Sequence, residues 1–268
     1  MSLALYQVDA FTDTRFAGNP AAVVLLDAWL PDALLQQIAA ENNLSETAYL
    51  VPAGDSRWEL RWFTPRIEVP LCGHATLASA FVLAEIRGEA GPVMTFATRV
   101  SGDLTVTREG GRYAMRLPIR RVASPRAVDP VAAALGARPL EVLTVPAAGD
   151  DTALAVFATE AEVRALQPDM RALSALPVRN VIATAKGTSS DFVSRMFAPK
   201  AGIDEDPVTG SAHCALVPFW AARLGGTTFH ARQVSARGGD LYCTLEADAV
   251  IVAGSAVLYL EGRIHLPA

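Results

Sequence analysis

The chain has 268 residues, 51% of them hydrophobic and 19% charged, so it can bury a substantial core and fits one large or two moderate domains. The formal net charge of -5, with lysines and arginines scattered singly, excludes nucleic acid as an expected partner. Three cysteines without a CxxC pair cannot form a disulfide framework, and the first ten residues lack the pattern of a secretory signal. We therefore expect a reducing cytoplasm. The longest apolar runs are too short to span a bilayer, so we expect no membrane contact.

The first half of the chain consists of short β-branched or alternating segments separated by Gly, Pro, Asp or Ser. They predict strands at residues 3–11, 21–26, 47–52, 58–63, 93–98, 103–108 and 112–117. Residues 32–41 follow Pro31 and are apolar along one face, which predicts a helix that covers a sheet. Residues 75–84 are apolar all round except for Thr76 and Ser79, which predicts a helix enclosed by sheet.

Residues 118–130 are polar, irregular and bounded by prolines, which is typical of a connection between domains. We therefore place a boundary near residue 120 and predict domains at 1–120 and 121–268, with the last strand, about 257–268, able to pack back on the first domain. The second domain repeats the scheme, with a second apolar helix at 211–224 that ends at Gly225. Its strands are predicted at residues 142–145, 152–158, 180–185, 191–197, 228–233, 241–245 and 257–264.

Two stretches of the chain repeat one unit. The pentapeptide RWFTP at 61–65 precedes a glycine-led apolar segment at 73–83, and RMFAP at 195–199 precedes another at 210–220. In both copies an acidic linker joins the two parts, with Glu68 in the first and residues 204–206 in the second. The repeat predicts an α+β fold of two similar domains, each a mixed, barrel-like sheet wrapped around a central helix.

The two helix starts are the predicted binding site. The first N–H groups of a helix lack partners within it, and the helix dipole adds partial positive charge there, so a helix start can bind a carboxylate. Gly73 and Gly210 let the backbone approach a ligand closely. One such glycine alone would be explained as well by a tight turn, but the repetition beside acidic linkers favours a shared site for a small anionic metabolite.

Three side chains near these starts are candidates for acid/base work. Glu46 enters an apolar strand, where a disfavoured charge would raise its pKa into the range in which it takes and gives a proton. His74 at a helix start should be neutral and able to orient a substrate, and Asp206 could accept from a substrate amine or hold His74. The plainer alternatives are a surface carboxylate, a structural histidine and a carboxylate at a helix start.

Other chemistries lack their sequence patterns. Ser211, His74 and Asp206 could be imagined as a hydrolase triad, but no GxSxG surrounds Ser211. The four histidines and three cysteines show no metal-ligand spacing, and no nucleotide-binding glycine motif follows a strand. We therefore expect neither a metal nor a cofactor.

Six blocks of sequence, in order along nearly the whole chain, resemble the phenazine-biosynthesis PhzF-like family. They are VDAFT at 8–12, GNPAAVV at 18–24, NLSETA at 43–48, WFTP at 62–65, LCGHAT at 71–76 and DPVTGSA at 206–212. The resemblance implies the two-domain diaminopimelate epimerase-like fold, usually in a dimer, and cofactor-free isomerase chemistry in the interdomain cleft. It also implies the role of each site residue: Glu46 moves the proton, supported by His74, Asp206, Gly210 and Ser211, with Ser45 and Gly73 beside them.

Two departures limit what the resemblance implies. Related epimerases use a cysteine at each helix start, whereas here Cys72 occupies one such place and Thr209 the other. The phenazine enzyme has alanine before the glycine and proline after the histidine, where this chain has Cys72 and Ala75. We predict an isomerase that shifts a proton on a small carboxylate or amino acid. A racemase or epimerase that uses Cys72, and a non-catalytic metabolite-binding protein, remain alternatives.

Overall fold

The computed structural model describes residues 2–146 and 151–266. The chain forms two compact units: the first contains the residues up to Arg116 together with those from Ala253 onward, and the second is Leu117–Val252. Within the described ranges, no helix has both the length and the apolar character needed to cross a membrane.

The secondary structure consists mainly of short strands, in groups of two to four that are separated by helices. In chain order, the elements up to residue 118 are β1 (Ser2–Ala10), β2 (Asn19–Leu25), α1 (Asp32–Asn42), β3 (Glu46–Gly54), β4 (Arg57–Phe63), β5 (Glu68–Val69), α2 (Gly73–Phe81), β6 (Val93–Thr98), β7 (Asp103–Glu109) and β8 (Arg112–Pro118). A π-helical turn, Val82–Ile86, continues α2.

The remaining elements follow the same order with additional helices. They are α3 (Val128–Leu135), β9 (Glu141–Val145), β10 (Thr152–Val156), α4 (Glu160–Ala165), α5 (Met170–Ala175), β11 (Asn180–Lys186), β12 (Phe192–Ala198), β13 (Ile203–Asp206), α6 (Gly210–Leu224), β14 (Thr228–Gln233), β15 (Gly239–Leu245), β16 (Ala249–Gly254) and β17 (Ala256–His265). A 3₁₀ turn, Pro199–Ala201, lies between β12 and β13.

The strand pairings of the two units follow one scheme. In the first unit, β1–β2 is antiparallel, β2–β3 parallel, β3–β4 and β4–β5 antiparallel, β4–β6 parallel and β6–β7 antiparallel. In the second unit, β9–β10 is antiparallel, β10–β11 parallel, β11–β12 and β12–β13 antiparallel, β12–β14 parallel and β14–β15 antiparallel. The predicted α+β fold of two similar halves is therefore confirmed.

Each parallel pair needs a crossover, and helices supply it. In the first unit α1 connects β2 to β3, and α2 lies between β5 and β6. Helix α2 is buried from His74 to Ala80, which matches the prediction of a helix enclosed by sheet. Helix α1 instead buries one face, with Leu35, Ile38 and Ala39 packed against the sheet.

Helix α6 is the corresponding central helix of the second unit and contains a proline. Pro218 has no N–H to donate to the carbonyl of Cys214, four residues earlier. The backbone N–H of Arg120 donates to that carbonyl at 2.9 Å instead. Because Pro218 leaves the carbonyl of Cys214 without its partner in the helix, the segment after β8 can hydrogen-bond to α6 at this point.

Several elements were not predicted. Three short helices are new, and α3 begins inside the segment 118–130 that was predicted to be an irregular connection. Helices α4 and α5 have only six residues each, too few to show helical periodicity, and are capped by Thr159 and Asp169. The strands β5, β13 and β16 were also missed, so the second acidic linker is in part a strand.

Candidate functional site

His74 lies in the first turn of α2, with neighbours from two parallel strands. Glu46 begins β3 and Asn19 begins β2, and the starts of parallel strands lie at the same edge of a sheet. The Nε2 atom of His74 is 3.2 Å from Oε2 of Glu46, and its Nδ1 atom is 3.1 Å from Nδ2 of Asn19. The fold thus brings a carboxylate, an imidazole and an amide into one row.

The hydrogen bonds of this row assign the proton on the ring. An amide nitrogen only donates, so Nδ1 of His74 accepts from Asn19. The proton of the neutral ring is then on Nε2, the nitrogen that lies 3.2 Å from Oε2 of Glu46. Burial lowers the pKa of His74 to about 3, so the ring is neutral at neutral pH. Loss of hydration on burial is the main cause of this lowered pKa. The sequence analysis attributed the neutral ring to the helix dipole instead.

Cys72 is the third functional group beside this ring. Its Sγ lies 3.5 Å from Nδ1 and 4.0 Å from Nε2 of His74, and the side chain is buried. One ligand atom each from Glu46, Cys72 and His74 lies within 4.8 Å of the others, a set of donor types that can hold a metal ion. Because both ring nitrogens are engaged by Asn19 and Glu46, a cation would have to displace one of them. The arrangement of these three side chains therefore favours proton transfer over metal binding.

In the second unit, Gln233 holds the loop that leads into α6. Its Oε1 accepts the backbone N–H of Thr209 at 2.8 Å, and its Nε2 donates to the carbonyl of Asp206 at 2.6 Å. Thr209 Oγ1 in turn donates to Oδ2 of Asp206 at 2.5 Å. Gln233 is fully buried at the end of β14, so this one amide fixes both ends of the loop before Gly210.

The two central helices begin in the same way. In α2, the hydroxyl of Thr76 donates to the carbonyl of Cys72 at 2.6 Å. In α6, Nδ1 of His213 is 2.9 Å from the carbonyl of Thr209 and must donate, because a carbonyl only accepts. His213 is fully buried, which lowers its pKa to about 4. In both helices, the carbonyl of the residue before the first glycine accepts a side-chain hydrogen bond from the residue four positions later. That residue is Thr76 in α2 and His213 in α6.

The acidic linkers that favoured a ligand site in the sequence serve another purpose. Glu68 accepts two hydrogen bonds from Arg61, at 2.8 and 2.7 Å, and Glu205 accepts two from Arg195, at 2.8 and 2.9 Å. Each arginine occupies the same place in the repeated unit. These two carboxylates therefore anchor the chain before each central helix.

The predicted site residues fall into two groups. Ser45 directly precedes β3, Gly73 begins α2, and Glu46 and His74 are in contact. In the second unit, Asp206 ends β13, and Gly210 and Ser211 form the first turn of α6.

Asn19 and Gln233 were missed in the sequence. Asn19 stands inside the block GNPAAVV as a polar residue beside Pro20, which offered a weak signal. Gln233 ends a correctly predicted strand, but nothing in its sequence neighbourhood distinguishes it from a surface glutamine. Its role depends on contacts 24 and 27 residues away along the chain.

The chain is similar to known proteins over almost its full length. A model of the phenazine biosynthesis-like protein family matches residues 8–262. A Pseudomonas aeruginosa protein named as an uncharacterized isomerase is 51% identical over 266 residues, which cover 99% of this chain and 100% of the relative. A crystal structure of a PhzF-family phenazine biosynthesis protein from Enterococcus faecalis has 45% identity and a TM-score of 0.92, covering 99% of this chain and 100% of that one.

A more distant structure shares the fold alone. A probable proline racemase from Agrobacterium radiobacter K84, solved with bound carbonate, has a TM-score of 0.67 at 13% identity and covers 99% of this chain and 93% of its own. The predicted epimerase-like fold is thereby confirmed. The named relatives support an isomerase at the level of enzyme class. From the family match and these identities, the chain belongs to the phenazine biosynthesis-like family.

Proposed function

We propose that this protein is a cofactor-independent isomerase that moves a proton on a small carboxylate or an amino-acid-like substrate. The observation that carries the proposal is the contact between Glu46 and His74. The Glu46 side chain is 12% exposed, and a neutral imidazole lies 3.2 Å from its Oε2. A largely enclosed carboxylate beside a neutral imidazole is suited to repeated proton transfer.

In this mechanism Glu46 is both the base and the acid. The carboxylate removes a proton from one carbon of the substrate, and the carboxylic acid so formed returns it to another carbon, so the proton balance closes without an external donor. The Nε2–H of His74, 3.2 Å from Oε2, would donate to it in the substrate complex and thereby fix the direction of the carboxylate. Asn19 keeps the ring in the tautomer that this donation requires.

The substrate carboxylate is assigned to the helix starts. The backbone amides at Gly73 and Gly210, together with the hydroxyl of Ser211, would hold it, aided by the partial positive charge of each helix end. Asp206 would accept from a substrate amine, and Ser45 would supply a further hydroxyl. The proposal includes a small anionic metabolite as the ligand, a cytoplasmic location and a homodimer.

Solvent deuterium exchange tests the catalytic assignment. The protein is incubated in deuterated water with a panel of amino acids and small hydroxy and keto acids, and carbon-bound deuterium is measured by NMR and mass spectrometry. We expect the wild type to label a substrate, because the carboxylic acid of Glu46 exchanges its proton with solvent in a fraction of turnovers before it protonates the second carbon. We expect Glu46→Gln to lower the rate by about 10²–10⁴-fold, the usual contribution of a general acid/base. Retained exchange in a folded Glu46→Gln variant would contradict the assignment.

The matched control is Glu41→Gln. Glu41 is an exposed carboxylate near the end of α1, a few residues from β3. This change removes the same charge from the same stretch of chain without touching His74. The proposal requires exchange at the wild-type rate in this variant.

The contact of Cys72 with His74, 3.5 Å from Sγ to Nδ1, favours a second candidate. A racemase or epimerase could use this thiol as a base, as related epimerases do at the same place. Cys72→Ala would then abolish exchange, whereas our proposal expects most of the activity to remain. A non-catalytic binding protein would retain ligand without labelling it, in the wild type and in both variants.

A further inference from the structure

Strand β4 of the first unit changes its neighbour in the middle of its length. Leu60 is paired with Thr98 of β6, whereas Trp62 is paired with Val69 of β5. Because β3 pairs with the whole length of β4 on the other side, β5 and β6 follow each other along one side of β4. The sheet is therefore interrupted on that side, next to Arg61.

The second unit has the same interruption and spans it with a side chain. On β12, Ser194 is paired with Gln233 of β14, and Met196 is paired with Asp206 of β13. The amide of Gln233 crosses from β14 to β13, because its Nε2 donates to the carbonyl of Asp206 at 2.6 Å. Thr98 has the corresponding place in the first unit, but its hydroxyl donates to a carbonyl in the β6–β7 turn at 2.8 Å.

A hollow of about 320 Å³ lies at the interruption in the first unit. It is lined by Leu60, Arg61, Trp62, Glu68, Val69, Pro70, Arg99 and Val100. The hydroxyl of Ser101 donates to the carbonyl of Pro70 at 2.8 Å, which joins the two loops that border the hollow. Small-molecule sites have volumes of about 300–1,000 Å³, so this hollow suits a small ligand.

Trp62 brings a hydrogen-bond donor without an acceptor to this hollow. The side chain lines the hollow and is 1% exposed. Among the atoms of residues 2–146 and 151–266, none accepts a hydrogen bond from its Nε1–H. Because buried indole N–H groups usually have a partner, an acceptor atom of a bound ligand would complete this group.

Arg99 supplies a positive charge to the same hollow. Its side chain is 53% exposed, and its Nη1 atom lies 3.5 Å from Oδ2 of Asp32 and 3.5 Å from Oε2 of Glu68. Both carboxylates are closer to Arg61, at 2.8 and 2.7 Å. Arg99 is therefore held by longer contacts than Arg61 and can turn to an anion. With two arginines and one glutamate, the lining has a positive formal charge.

We propose that this hollow is a second ligand site, which binds a small carboxylate with a short apolar or aromatic body. One carboxylate oxygen accepts the Nε1–H of Trp62, and Arg99 pairs with the negative charge. The body of the ligand packs against Val69 and Val100. None of the lining residues is assigned to proton transfer at Glu46, so binding here and deuterium exchange can fail separately.

The indole signal of Trp62 tests this site directly, with benzoate as the probe. The protein is labelled with ¹⁵N and ¹³C, and the indole N–H signals of its four tryptophans are assigned by triple-resonance NMR. At constant ionic strength, we expect benzoate to move the Trp62 signal downfield until it saturates. Benzamide has the same ring without the charge and should bind about tenfold more weakly. A Trp62 signal that does not move at the solubility limit of benzoate, or that chloride moves equally, would overturn the proposal.

A pair of arginine variants tests the source of the charge in the same titration. Arg99→Gln removes one positive charge from the hollow and leaves Trp62 in place, and we expect the dissociation constant for benzoate to rise about tenfold or more. Arg66→Gln is the matched control, because Arg66 is exposed in the link between β4 and β5 and does not line the hollow. This variant should bind benzoate as the wild type does. Equal effects of the two substitutions would show that the net charge of the protein attracts the anion, and the site would then be wrong.

Discussion

Asn19 and Glu46 hold the ring of His74 from opposite sides. The amide of Asn19 donates to Nδ1, which leaves Nε2 as the protonated nitrogen that faces Glu46. A ring protonated on Nδ1 instead would present a lone pair to the carboxylate and repel it. The small, fully buried Asn19 is therefore a positioning residue for the proposed base, through the tautomer that it selects.

We predict that Asn19→Asp changes the protonation of His74. A carboxylate accepts where the amide donated, so Nδ1 should take up a proton while Nε2 keeps its own proton beside Glu46. The ¹⁵N shifts of the labelled ring should then show two protonated nitrogens near neutral pH, and exchange activity should fall about 10–100-fold. An Nδ1 shift that stays unprotonated in the variant would contradict the assigned tautomer. Asn42→Asp, at a more exposed amide in α1 that donates to Thr47, serves as the control and should leave the ring unchanged.

At the scale of elements, an arginine anchors the chain that leads into each central helix. Arg61 lies over the ring of Phe63 with 4.9 Å to the centroid, and Arg195 lies over Phe197 with 5.0 Å. These are the arginines that bond to the acidic linkers, so the repeated sequence encodes a repeated anchor. The second unit adds Gln233, whose amide ties the two ends of the loop before α6.

We predict that Gln233→Leu destabilises the protein. The substitution keeps the side-chain volume but leaves the N–H of Thr209 without Oε1 in a buried position, at a cost of about 2 kcal/mol in the free energy of unfolding. Urea denaturation followed by circular dichroism measures this difference. Arg232→Leu, at the exposed neighbouring position of β14, should change stability by no more than about 0.5 kcal/mol. Equal effects of the two substitutions would show that Gln233 is not a buried anchor.

The elements that the sequence predicted well are those with a strong local pattern. Strands β6 and β14 have the predicted bounds, because alternating or β-branched runs end at clear turn residues. Helices α4 and α5 were missed because six residues carry too little periodicity, and β13 was missed because its acidic residues resemble a loop. The polarity of β13 is explained by the pairing of Glu205 with Arg195, which lies on the adjacent strand.

At the scale of the whole molecule, the repeat predicted both units but only part of the site. The two apolar segments that begin with glycine predicted the helix starts at which His74 and Ser211 lie. The order of strand pairings is the same in both halves, as the repeat predicted. The contact between Asn19 and His74 joins residues 55 positions apart, and no local pattern specifies such a pairing. The sequence therefore revealed which residue types take part, whereas the hydrogen bonds that orient them required the fold.

The two buried histidines predict how the stability of the molecule depends on pH. Burial lowers the pKa of His74 to about 3 and that of His213 to about 4, whereas both rings titrate near pH 6.5 once the chain unfolds. Between about pH 4 and 6.5 the unfolded chain therefore binds more protons than the folded one, and stability falls as the pH is lowered through this window. Each histidine should contribute a loss of about 2 kcal/mol by pH 5.

Urea titrations at a series of pH values measure this dependence, and His213→Gln separates one histidine from the rest. A glutamine can still donate to the carbonyl of Thr209 but takes up no proton, so the slope below pH 6.5 should decrease by about one proton, or 1.4 kcal/mol per pH unit. Above pH 7 the slopes of the variant and the wild type should coincide. An unchanged slope between pH 5 and 6 would mean that His213 is protonated within the folded chain, and its burial would then no longer account for the acid sensitivity of the second unit.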